Sequence, residues 1–133
     1  MGVWSPASGT FTANCPGGSG TTTSLVTENV TWASGTTSDL VQTIPGTTCI
    51  FHANISGSTA TGVASQTCTV NTAATAVSDS FTDLLGFTSY TFVLMPDGMT
   101  ASENYSGTDM ETDNTSGATG NCTFTQTASY TKQ

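Results

Sequence analysis

Positive charge is almost missing from this chain. Among its 133 residues Lys132 is the only basic side chain, and nine acids leave a formal net charge of −8 at pH 7. A surface without cations cannot neutralise a row of phosphates, so nucleic acid is excluded as a direct partner. The same deficit argues against anionic membrane surfaces and phosphorylated substrates. Charge of either sign is scarce: 8% of residues are charged, against about a quarter in an ordinary soluble domain. Ser, Thr and Gly carry the polarity instead. No segment approaches the roughly 18 apolar residues that span a bilayer as a helix. The length suits one domain with a modest core and is too short for two, so residues 1–133 are read as a single unit.

Histidine is limited to His52, and the four cysteines, Cys15, Cys49, Cys68 and Cys122, include no CxxC pair. A structural zinc site needs ligands in close pairs. Two disulfides are therefore expected, in an oxidising extracellular or periplasmic compartment. No basic start leads into an apolar stretch; the expectation is that a secretion leader has been removed and that Met1 is an added initiator. Glycosylation sequons stand at Asn29, Asn54, Asn104, Asn114 and Asn121, and they matter only in a glycosylating host.

What is present is alternation. Strand candidates are 8–14, 24–33, 39–44, 48–55, 58–69, 89–95, 99–106 and 122–131, separated by turn signals at Pro16-Gly17-Gly18, Ser34-Gly35, Pro45-Gly46, Ser56-Gly57, Asp97-Gly98 and Gly117 to Gly120. Asp97-Gly98 suits a two-residue type I′ hairpin, which needs positive φ at both central residues. Only Val77 to Phe87 has apolar spacing for a short helical turn, capped by Asp79 or Ser80 and ended by Gly86. The fold class is all-β. About eight strands on short links predict an antiparallel up-and-down barrel, which removes exposed edges. The alternative is a two-sheet sandwich, with Asn71 to Phe87 as its crossing link. Trp32, Phe51, Phe92, Phe124 and Tyr130 are the bulky core candidates. Four cysteines allow three connectivities. Pairing of the first and last strands sets Cys15 opposite Cys122, while a hairpin of 48–55 with 58–69 brings Cys49 near Cys68 if a bulge near Gly62 corrects the register.

Gly2-Val3-Trp4 at the first strand resembles the short Gly-x-Trp motif of the lipocalins, within the calycin group of up-and-down barrels. The resemblance implies that Trp4 closes one barrel end and that a cation from near the barrel's end packs across its indole. Lys132 is the one residue able to do so. The longer strands, C-terminal helix and arginine usual in that family are not apparent. The resemblance rests on three residues and one lysine.

Candidate chemistry is thin. A nucleophilic triad would need His52 with a serine and Asp39 or Asp83, but no Gly-x-Ser-x-Gly elbow is present, and a histidine on the polar face of its strand is the simpler reading. Paired carboxylates could hydrolyse glycosides, yet most of the acids (Glu28, Asp39, Asp79, Asp83, Asp97, Glu103, Asp109, Glu111, Asp113) are expected at or beside turns, and so short a chain leaves little material for a deep cleft. The sharpest cluster is Asp109, Glu111 and Asp113. In an extended strand all three share a face and could hold Ca²⁺ with Asn114 or Thr115, although the EF-hand pattern is absent and a solvated acidic loop is the simpler reading. Thr-rich strands without a fixed repeat do not support an ice-binding face.

These observations favour a secreted, non-enzymatic binding protein without a resident cofactor. It would hold a small apolar or aromatic ligand lined by Trp32, Tyr90, Phe92 and Tyr105, with His52 as a polar contact. The alternative is a structural or adhesive subunit that self-associates through strand edges.

Overall fold

The computed structural model describes residues 1–15, 20–35, 39–43, 48–75 and 80–133. The turn signals at Pro16-Gly17-Gly18 and Pro45-Gly46, and the residues Val77 and Asp79, lie outside the described residues. The described residues form ten β-strands: β1 (Gly2–Cys15), β2 (Gly20–Leu25), β3 (Val30–Ser34), β4 (Leu40–Thr43), β5 (Ile50–Ser56), β6 (Thr59–Gly62), β7 (Gln66–Thr72), β8 (Phe81–Leu94), β9 (Thr100–Asp113) and β10 (Thr119–Lys132). All pairings are antiparallel. Eight strands close a ring in the order β1-β3-β4-β5-β6-β8-β9-β10, and β10 returns to β1 from Trp4↔Lys132 to Asn14↔Thr123. The up-and-down closure expected from the short links is thus present, and a two-layer sandwich is not.

Two strands stand outside the ring. β2 pairs only the distal half of β1, Thr10 to Cys15. β7 pairs only the first half of β8, Phe81 to Phe87. The single strand anticipated over 24–33 is therefore divided, and so is the one over 58–69. The second break follows Gly62: β6 lies between β5 and β8, and the chain then turns through Ser65 (φ 60) to lay β7 further along β8. Residues 81–87 are strand, not the helical turn suggested by Val77, Phe81, Leu84 and Leu85. β7 and β9 hydrogen-bond both their edges, and that ladder overrides a weak local helical spacing.

Period-two alternation explains β10 well. Phe124, Gln126, Ala128 and Tyr130 are buried, while Thr123, Thr125 and Thr127 are exposed, where a β-branched side chain suits the pleat. Register shifts between Pro6 and Ser8 and between Phe87 and Ser89 reverse the inward parity of β1 and β8 partway along. The hairpin after β8 is not a two-residue type I′ turn. Gly98 N–H donates to Met95 C=O across Pro96-Asp97, and only Gly98 has positive φ (66°); Pro96 presets the turn's first φ instead. At β5–β6 a tight two-residue link, Gly57-Ser58, is present, with Gly57 at φ 60.

The disulfides are Cys15–Cys122, joining β1 to β10, and Cys49–Cys68, joining the approach to β5 to β7. Both match the expected pairs. The second needs no bulge, because Cys68 belongs to a separate strand. No helix among the described residues is long and apolar enough to cross a membrane. The two disulfides are consistent with an oxidising compartment.

Candidate functional site

The half of the ring nearest the chain ends is solid. Trp4, Val30, Trp32, Phe51, Ala53, Ala60, Phe92 and Ala101 pack there as one cluster, with Trp4 edge-on to Phe92 at 5.4 Å. Lys132 Nζ sits 6.0 Å from the centre of the Trp4 ring, and Trp4 and Lys132 are partners in the β1–β10 ladder.

The other half is open. β1, β8, β9 and β10 run on past the short strands, flanked by β2 and β7, as a six-stranded sheet. Its inner face holds a cavity of about 740 Å³. Phe11, Phe87, Phe124, Tyr90 and Tyr105 give it an aromatic wall. These rings touch in sequence: Phe11–Phe124 at 5.9 Å, Phe124–Phe87 at 5.9 Å, Tyr105–Phe124 at 5.7 Å and Tyr90–Tyr105 at 6.1 Å. Gly107 makes this arrangement feasible, since a Cβ there would collide with the Phe124 ring and with Gly86 C=O. Cys15 and Cys122 also line the wall, and Leu25 to Glu28, the start of the β2–β3 link, forms part of the rim.

Beneath the tyrosines lies Glu103, 1% exposed. Its Oε1 accepts from Tyr90 Oη–H at 2.6 Å, and its Oε2 accepts from Gln126 Nε2–H at 2.7 Å and Tyr130 Oη–H at 2.9 Å. Tyr105 Oη–H in turn donates to Gln126 Oε1 at 3.1 Å. The ladder explains the convergence. Phe92 and Ala128 flank Glu103 directly, and the small Ala128 lets Gln126 and Tyr130 lean over the carboxylate from either side. Burial pushes the Glu103 carboxyl above its usual range, and the three hydrogen bonds only partly oppose that. The same burial, with the Glu103 charge, pushes Tyr90, Tyr105 and Tyr130 well up, so all three stay protonated.

At the rim, Glu28, Asp109 and Glu111 face the cavity. Burial raises Asp109 to about 6, with repulsion from Asp83 and Glu111 adding to it. One oxygen each of Asp83 and Asp109 is buried with no hydrogen-bond partner among the described residues.

The residues expected to line a pocket therefore divide. Tyr90 and Tyr105 do so. Trp32 and Phe92 lie deeper, in the solid half; Trp32 stands 5.8 Å from both Tyr90 and Phe92, and its Nε1–H has no partner among the described residues. His52 is half-buried on the face of β5 opposite Phe51, and it is not part of the wall. Its backbone is bridged by Gln66, which donates from Nε2 to His52 C=O (2.8 Å) and accepts His52 N–H at Oε1 (2.7 Å).

Asp109, Glu111 and Asp113 all lie in β9, as extended alternation requires, but they do not act together. The first two face the cavity, whereas Asp113 closes the following turn, accepting Thr115 N–H and Ser116 N–H at Oδ1 and Ser116 Oγ–H at Oδ2. Those bonds hold its carboxyl below the usual range. Among the described residues no group of three or more His, Cys, Asp or Glu side chains is arranged to hold a metal ion.

Sequence reasoning placed most acids at turns and so missed Glu103. The signal was parity: Glu103 shares a strand face with Ala101, Tyr105 and Gly107, two residues apart each time. Comparison of the chain with protein-family models, with curated proteins and with solved structures gave no match.

Proposed function

We propose that this is a secreted, non-enzymatic binding protein that holds a small apolar or aromatic ligand in the open half of the ring. The observation that carries the reading is the cavity of about 740 Å³. It lies within the usual range of small-molecule sites, roughly 300–1,000 Å³, and has their usual make-up of apolar and aromatic walls with a few placed polar groups. The two disulfides support an extracellular or periplasmic location. The Gly2-Val3-Trp4 motif and the Lys132–Trp4 contact are in keeping with the lipocalin resemblance. The ligand would enter past Leu25 to Glu28 and lie against Phe11, Phe87 and Phe124, gaining about 25 cal/mol for each Å² of apolar surface removed from water.

Titration with the neutral dye Nile red tests this. Saturable, one-to-one fluorescence enhancement is expected, and it should be lost in Ala13→Trp, which fills the cavity from β1. The reading fails if enhancement is absent, or if it is unchanged in a folded Ala13→Trp protein.

A second reading, assembly through strand edges, is favoured by β2 and β7, each of which pairs on one side only among the described residues. Size-exclusion chromatography separates the two: assembly predicts concentration-dependent oligomers, and binding alone predicts a monomer.

A further inference from the structure

The cavity floor has an unusual hydrogen-bonding polarity. Tyr90, Tyr130 and Gln126 all line the cavity, yet Tyr90 and Tyr130 turn their hydroxyl protons onto Glu103, and Gln126 donates to Glu103 and, at 3.5 Å, to Tyr130 Oη. Tyr105 spends its proton on Gln126. A carboxylate can only accept, so this arrangement is fixed while Glu103 is ionised. The floor then shows an incoming molecule phenolic lone pairs and ring faces rather than donors. Ser24, Thr27 and Gln42 are the other neutral polar side chains on the wall, and each offers an acceptor as well as a donor.

Two further features have the same sign. Ring faces carry negative charge density and attract cations; seven aromatic side chains line this cavity. The ionisable side chains on the rim, Glu28, Asp109 and Glu111, are all acids, and no base lines the cavity. Lys132, the chain's one basic side chain, lies over Trp4 in the opposite half. A neutral ligand would leave the rim carboxylates repelling each other, whereas an anion would meet the same sign from floor and rim together.

We propose that the ligand is an organic cation: an amine, protonated at neutral pH, carried on an apolar or aromatic body. The body lies against Phe11, Phe87 and Phe124. The ammonium group lies either among the rim carboxylates or over the tyrosine faces, where its protons meet lone pairs. The inference rests on the cavity being a binding site and names the class of molecule it takes.

Three probes with one ring system separate the two propositions: 1-naphthylmethylamine (cationic), 1-naphthylmethanol (neutral) and 1-naphthylacetate (anionic), each titrated calorimetrically at neutral pH. The amine is expected to bind at least about tenfold more tightly than the alcohol, in line with one or two cation–π contacts plus partly screened charge attraction, and the acetate most weakly. Added salt should narrow the difference between amine and alcohol. The rim variant Asp109→Asn/Glu111→Gln should lower amine affinity about three- to tenfold and leave the alcohol unchanged; Glu103→Gln, which frees a floor donor, should raise the acetate relative to the amine. Equal binding of amine and alcohol overturns the cation assignment and leaves the cavity as an apolar site. Failure of all three probes, together with Nile red, overturns the binding reading itself.

Discussion

Replacing Glu103 by glutamine reports directly on the balance at the centre of the molecule. Glutamine keeps the shape and one carbonyl, but its NH₂ must face a group that now donates. Tyr90 is the group best able to adapt, since its hydroxyl can rotate to accept and turn its proton into the cavity. The variant therefore loses one to two charge-assisted hydrogen bonds, each worth about 1.5–3 kcal/mol, and is relieved of the desolvation of a buried charge, which costs several kcal/mol. These opposing amounts are of similar size at pH 7. Titration separates them. Burial holds the Glu103 carboxyl above its ordinary value, so in this range the folded parent binds more protons than the unfolded chain. Its stability is therefore highest below the unfolded pKa, and it falls as pH rises through the folded one, by at most about 1.4 kcal/mol per pH unit. The glutamine variant lacks this loss. Its stability relative to the parent should therefore be lower at pH 4 than at pH 7. Glu103→Ala, which leaves three donors without their acceptor at about 1 kcal/mol or more each, should be worse than glutamine at both values. Urea unfolding followed by the fluorescence of Trp4 and Trp32, both buried, measures all of this. A deficit that widens from pH 4 to pH 7 would refute the reasoning, because it would mean that the hydrogen bonds outweigh burial and hold the carboxyl down.

Other perturbations test separate parts of the structure. Asp109 is raised to about 6, so its ionisation should cost stability between about pH 4 and 6; the shift alone corresponds to about 3 kcal/mol, which screening of a half-exposed group reduces to about 1 kcal/mol. Asp109→Asn should be the more stable protein at pH 7 and show a flatter pH profile by thermal melting, and a steeper profile would contradict the assignment. Cys15–Cys122 closes a separation of 107 residues and Cys49–Cys68 one of 19; the loop-entropy account gives about 4.7 and about 3 kcal/mol, so the double serine variant of the first pair should have the lower urea midpoint. Gly107→Ala should cost about 2–3 kcal/mol through collision with Gly86 C=O and the Phe124 ring, and a thermal midpoint equal to the parent's would show that backbone and ring both give way freely.

The all-β class, the antiparallel closure and both disulfides were legible in the sequence because each follows from a local signal: alternation, a turn dipeptide, a cysteine near a strand end. Strand length was not legible in the same way. The bulge between Phe87 and Ser89 changes which residues of β8 face inward, so Leu85 and Phe87 fall out of step with Tyr90 and Phe92 in a simple count of two. That break in phase let 77–87 pass for a helical turn and cut the strand short at Ser89. The buried Glu103 was obscured for a different reason. Composition makes an acid an expected surface residue, and only its position between Ala101 and Tyr105 on one face says otherwise. The Asp113 turn follows the same lesson in reverse, since its parity matches Asp109 and Glu111 but its carboxylate is taken up by Thr115 and Ser116.

Strand length is also where the cavity originates. Four strands, β1, β8, β9 and β10, have 14 residues each, about 46 Å at roughly 3.3 Å per residue. β4 and β6 have four, about 13 Å on the same rise. A ring built from such unequal staves closes only over the short ones, and there it fills with Trp4, Trp32, Phe51 and Phe92. Beyond them the long strands still present alternate side chains inward, but among the described residues no opposite strand closes the ring over them. Those inward positions must therefore stay wet, pack against their neighbours, or receive a ligand. The sequence in that half answers accordingly: Phe11 and Phe87 pack against Phe124, Gly107 makes room for Phe124, and the Tyr90 and Tyr130 hydroxyls are satisfied by a carboxylate placed beneath them. A carboxylate in that position removes donors from the surface above it. The carboxylate that orders the floor would thus also set the sign of the proposed ligand, and Glu103→Gln should alter both in one substitution: a smaller stability deficit at pH 7 than at pH 4, and a weaker preference for amine over carboxylate.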